Sequence, residues 1–111
     1  GKLISVPYSL EMNDTVVLSM MGKSMRHYAD IMKKNFDQLY EEGAENALVM
    51  CIPLHPFLIG QPHRIGQFAE VLDYITSHDK VWVTTGREIA EHYYEHHYDN
   101  VVAALSVKRR A

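Results

Sequence analysis

The chain has 111 residues, 47% hydrophobic and 23% charged, with a formal net charge of -3. This size predicts one domain with enough core to fold without disulfides or metals, and the charge excludes a basic nucleic-acid surface. The lone cysteine, Cys51, excludes an internal disulfide, and no apolar stretch reaches membrane-spanning length.

Reading from the N-terminus, "KLISVPY" (2–8) predicts a short strand that Pro7 ends. It has no signal-peptide pattern, and Gly1 in place of an initiator Met is compatible with a processed chain or a piece of a longer one. "SLEMND" (9–14) is turn-like, and "TVVLSMM" (15–21) fits strand or helix equally. Gly22 and Ser24 then signal a helix start, with Ser24 as N-cap. Tyr28, Ile31, Met32, Phe36, Leu39 and Tyr40 recur at three- and four-residue steps, which predicts a helix with one apolar face, capped near Gly43.

"ALVMCIPL" (47–54) is continuously apolar, as in a strand covered on both faces of a parallel sheet, and this predicts a buried Cys51. The loop "HPFLIGQPHR" (55–64) follows, with Gly60 serving backbone geometry and Pro62 suited to a helix's first turn. Ile65, Phe68, Ala69, Leu72 and Ile75 mark the buried stripe of that helix. "KVWVTT" (80–85) predicts a third strand, with Trp82 in the core. Thr85 through Glu88 form a capping box that opens a last clear helix. "DNVVAALSVKRRA" (99–111) fits a short helix or a loose tail.

Strand and helix alternate three times, which predicts an α/β fold with a parallel sheet and right-handed crossovers. Functional side chains in such folds gather at the carboxyl ends of the strands, here at 7–14, 54–64 and 83–88.

Five segments in order, "VPYSLEMND", "QLYEEGA", "IPLHPFLIGQPHRI", "LDYITSH" and "VWVTTGREIAEHY", resemble the C-terminal part of the polysaccharide deacetylase family. The branch most similar contains the cofactor-independent allantoinases. The resemblance implies the last part of a distorted (β/α) barrel over residues 1–98, with 99–111 as a tail. It implies hydrolysis of non-peptide carbon–nitrogen bonds. It also implies that His55, in the Leu54-His55 pair, is the general acid. The family's metal Asp and base Asp have no counterpart in these 111 residues, and the HxxxH match at His92 and His96 follows the final family-like strand, far from the metal motif's place in chain order. The resemblance therefore implies no metal held by this chain, a divalent ion such as zinc in full-length relatives, and an incomplete, inactive site in the chain alone. A small N-acyl or ureide substrate is implied in the same way.

Around His55, the rim positions of His63, Arg64, Asn13 and Asp14 make them candidates for substrate binding, each weighed against an ordinary surface role. Arg64 suits bidentate contact with a carboxylate or ureide oxygen. Asp14 suits orienting His55. "HYYEHH" (92–97) contains HxxEH, the inverted zinc-peptidase pattern. Its place after the last family-like strand, on the polar flank of its helix, favours a solvated helix end. The alternative to a hydrolase part is a non-catalytic module that associates through uncovered apolar faces as a homo-oligomer. No membrane or nucleic-acid partner is expected, and a cytoplasmic location is.

Overall fold

The computed structural model describes residues 2–110. They form a short 3-10 turn (Leu10–Met12), a six-residue π-helix (Thr15–Met20) and five α-helices. These are α1 (Met25–Glu42), α2 (Pro56–Ile59), α3 (Pro62–Thr76), α4 (Gly86–His96) and α5 (Tyr98–Arg110). Among the described residues there is no strand and no sheet, so the predicted α/β parallel fold is corrected to a helical one.

The physical reason is visible in the predicted strands. A strand exists only by ladder hydrogen bonds to a neighbour, and residues 47–54 reach another segment by a single backbone bond, Asp14 N–H to the Pro53 carbonyl at 3.3 Å. The run is also covered on one side only. Met50, Ile52 and Leu54 pack against the core, while Val49 and Cys51, which alternate with Met50 and Ile52, are exposed. That is the two-residue alternation of an extended chain lying on one surface. The expected burial of Cys51 and of Trp82 is corrected with it, since Trp82 is 59% exposed.

The chain divides into two compact units. One comprises residues 7–81, the other residues 1–6 and 82–111. In the larger unit, Met25, Tyr28, Met32 and Phe36 are the buried positions of α1, at the spacing that brings side chains onto one helix face. They meet α3 at Val71, flanked by the partly buried Phe68 and Ile75, so the α3 stripe is centred one position off the predicted one. Ile65 and Leu72 remain exposed. Met12, Val17, Leu18 and Ile59 complete the core.

Local signals set the helix starts. Ser24 accepts from the His27 N–H as N-cap of α1. Gly22, two residues earlier, has φ +63, a left-handed conformation that glycine adopts at no steric cost. Pro56 and Pro62 open α2 and α3, where a missing N–H is harmless. At Gly60 a Cβ would lie 2.5 Å from the Pro56 carbonyl oxygen, so only glycine closes this turn without a shift.

In the smaller unit, α4 begins with the expected capping box, Thr85 with Glu88. The stretch that composition leaves open after Tyr98 is helical to Arg110. Lys2 Nζ sits 4.4 Å over the Tyr98 ring, a cation–π contact.

The Glu88 carboxyl is held below its ordinary value, first by the Thr84 hydroxyl and then by the Thr85 N–H. A depressed acid stabilises the fold above its unfolded value near 4.5 and loses that contribution as pH falls through the folded value. Urea midpoints of Glu88→Gln and the parent should therefore converge as pH drops from about 6 to about 3. A constant difference over that range would exclude this cap as the cause.

Candidate active site

The π-helix starts immediately after Asn13-Asp14, and π turns are frequent where a side chain must be aimed. The Asn13 side chain accepts from the Thr15 N–H at 2.9 Å, closing an Asx turn that fixes Asp14 between them. Asp14 is fully buried. Both of its carboxylate oxygens face His55. Oδ2 accepts from the His55 backbone N–H at 2.7 Å, and Oδ1 lies 2.7 Å from His55 Nδ1.

A carboxylate cannot donate, so Nδ1 carries the proton and Nε2 is the free ring nitrogen. Thr15 Oγ1, 3.0 Å from the same Nδ1, shares this edge of the ring. The imidazole is 44% exposed while its carboxylate is not exposed at all. The result is a buried anion holding a ring whose outer nitrogen can meet a ligand. Phe57 lies edge-on to the ring at 5.7 Å between centroids.

Beneath the pair, the buried Tyr28 hydroxyl donates to the Met12 carbonyl, two residues before Asp14. Burial pushes the Tyr28 phenol far above its usual range, and the nearby Asp14 charge adds to the rise. Tyr28 therefore stays a neutral donor and anchors the 3-10 turn that leads into the site.

The oriented imidazole thus stands in a Leu54-His55-Pro56 context. A Schizosaccharomyces pombe protein described as "Putative polysaccharide deacetylase" is 38% identical over 91 residues. The match takes in 80% of this chain. The chain carries polysaccharide deacetylase homology. No protein-family model matches it.

Two crystal structures extend the deacetylase likeness to the backbone. One is a "probable Polysaccharide deacetylase from Pseudomonas aeruginosa PAO1", with 36% identity and a TM-score of 0.78. The other is "Puue Allantoinase", with 34% identity and the same TM-score of 0.78. Each match covers 83% of this chain. The chain spans only 28% of the yeast relative and 31% of each solved structure. It corresponds to a part of these hydrolases.

The remaining candidates fall in different places. His55, Asp14 and Asn13 come together through the Asp14 carboxylate and the Asn13 turn. His63 and Arg64 occupy the first turn of α3, where they wall a separate cleft that does not include His55. Arg64 Nη1 donates to the Leu58 carbonyl at 3.2 Å and lies 3.5 Å from Gln61 Oε1. Two neighbours of the imidazole, Thr15 and Phe57, escape sequence reasoning. Thr15 had a signal, since an Asx turn at Asn13 points its N–H and hydroxyl back toward the site. Phe57 had none beyond its place two residues after His55.

In the HxxEH segment, His92 and His96 lie 4.5 Å apart between ring centroids, and His92 is edge-on to Trp82 at 5.8 Å. Among the described residues, no group of three or more His, Cys, Asp or Glu side chains could hold a metal ion. Asp14 and His55 are two such ligand types, but they are spent on each other. The described residues thus offer no complete ligand set for the divalent ion that the deacetylase resemblance implies for full-length relatives.

Proposed function

We propose that this chain supplies the general acid, His55, to the hydrolysis of a non-peptide carbon–nitrogen bond of the deacetylase or allantoinase kind. The observation that supports it is the pairing of a fully buried Asp14 with His55 Nδ1 at 2.7 Å. Breaking an amide requires a proton for the departing nitrogen, because an unprotonated amine anion is a very poor leaving group. In the charged imidazole, Nε2–H is the proton to be given. Asp14 stabilises that charged form through Nδ1–H and keeps the ring aimed. After transfer, the neutral ring retains its Nδ1–H bond to Asp14 and Nε2 is left as an acceptor.

Activation of the attacking water belongs, in this reading, to groups supplied from elsewhere in a complete enzyme. The homologues' greater length is compatible with that division. The substrate class, an N-acyl sugar or a small cyclic ureide, follows the two kinds of relative.

The test is hydrolysis of N-acetylated sugars and of allantoin by the product of the complete reading frame that contains these residues. His55→Ala should lower kcat by roughly 10²–10⁴-fold with little change in KM, as expected for loss of a general acid. Equal turnover by the two proteins would remove His55 from the chemistry. The non-catalytic, associating module would then be the better reading, favoured by the exposed Val102, Leu105 and Val107 along α5.

A further inference from the structure

We infer that the cleft between the first turns of α1 and α3 binds a small oxyanion of the phosphate class. It is an open cleft of about 480 Å³, and its walls include Lys23, Ser24, Arg26, His63, Arg64 and Gln67. Three permanent cations and an imidazole face one volume, and no carboxylate lines it. This runs against the composition, because acidic residues outnumber Lys and Arg by 14 to 11. Chance would scatter acids among them, as at the exposed Lys34–Asp30 pair on the same helix.

The cations are also free to act. Among the described residues, none of Lys23, Arg26, His63 or Arg64 has a carboxylate oxygen within 4.0 Å. Arg64 is half-buried and its Nη1 is tied to the Leu58 carbonyl, which fixes the guanidinium plane and leaves other N–H donors unspent. Ser24 Oγ accepts from the His27 N–H, so its own hydroxyl proton remains to donate.

Donors that converge from two helices suit a compact anion with several oxygens, as guanidinium and phosphate match in geometry. An extended nucleic acid would need a basic stripe along the surface, which a chain of net charge -3 does not provide. Neither His55 nor Asp14 walls this cleft, so the inference stands apart from the reading of His55 as an acid.

Lys23 and Arg26 are exposed, so the attraction is screened, and affinity should be on the order of millimolar and should fall with added salt. The experiment is a titration of the 111-residue chain, followed by amide shifts in ¹H–¹⁵N NMR, with inorganic phosphate in one arm and glucose 6-phosphate in the other. Saturable shifts at Ser24, Met25, His63, Arg64 and Gln67 are expected, and the tighter arm tells free phosphate from a phosphate ester. Lys23→Gln/Arg26→Gln should weaken binding by about tenfold or more, with the core amides of Tyr28 and Val71 unmoved. Linear shifts equal to those from chloride at matched ionic strength would overturn the site. So would unchanged affinity in the double variant.

Discussion

Asp14→Asn is expected to move the proton of His55 from Nδ1 to Nε2 and to destabilise the larger unit by about 3 kcal/mol. The carboxylate accepts two hydrogen bonds from one residue, both at 2.7 Å. An amide offers one acceptor and one donor at the same two places. If its oxygen keeps the His55 backbone N–H, its NH2 faces Nδ1, and two donors cannot meet. The ring then presents a lone pair at Nδ1 and carries hydrogen at Nε2. Thr15, 3.0 Å away, can assist by donating its hydroxyl to the vacated Nδ1.

The size of the loss follows from charge. Both contacts survive in the variant as neutral hydrogen bonds, which contribute about 0.5–1.5 kcal/mol each where bonds to a charged group contribute about 1.5–3. Losing that charge assistance at two contacts comes to about 3 kcal/mol. Long-range ¹⁵N–¹H spectra read the tautomer and chemical denaturation reads the stability. A ring that keeps its proton on Nδ1 in the variant would refute the assignment of Asp14 as its acceptor. On the proposal that His55 is a general acid, the same change in the full-length protein should cost turnover about as much as loss of the orienting acid does in a carboxylate–imidazole pair, roughly 10⁴-fold.

How far this site was legible depends on the range of each signal. Local ones read well. The Ser24 cap, the Thr85–Glu88 box, the first-turn Pro62 and the apolar face of α1 from Tyr28 to Phe36 are where the residue pattern puts them, though Tyr40 at the end of that face is exposed. Each depends on atoms within four residues of chain. The nearness of Asp14 to His55 is legible in their strand-end positions and family-like segments, whereas their mutual geometry, across 41 positions, is set by the fold.

Sheet pairing failed because it is a property of neighbours. Ala47–Leu54 looks doubly covered by its run of apolar residues, yet alternate side chains leave Val49 and Cys51 in solvent. Nothing in eight apolar residues states what lies on either side. The separation of His63 and Arg64 from His55 was hidden for a related reason. Their loop contains a helical turn, Pro56–Ile59, which carries the chain on to the start of α3 instead of leaving all three residues on one rim. The turn's apolar sequence, Phe57-Leu58-Ile59, resembles a continuing extended run.

The core beneath the site should be the most sensitive part of the chain. Met32→Ala is expected to cost about 3 kcal/mol, within the 2–5 usual for truncating a buried methionine. Met32 has no exposed surface, and it belongs to the same cluster as Met12, Tyr28 and Val71. A unit spanning residues 7–81 has a stability of roughly 4–11 kcal/mol on per-residue grounds. The loss is therefore a large share of the total, and should lower Tm by about 12–24 °C. Leu105→Ala on α5, where the side chain is 54% exposed, should change stability by less than about 0.5 kcal/mol. If the two substitutions lowered Tm equally, the packing of α1 on α3 could not be what holds Asp14 and His55 in place.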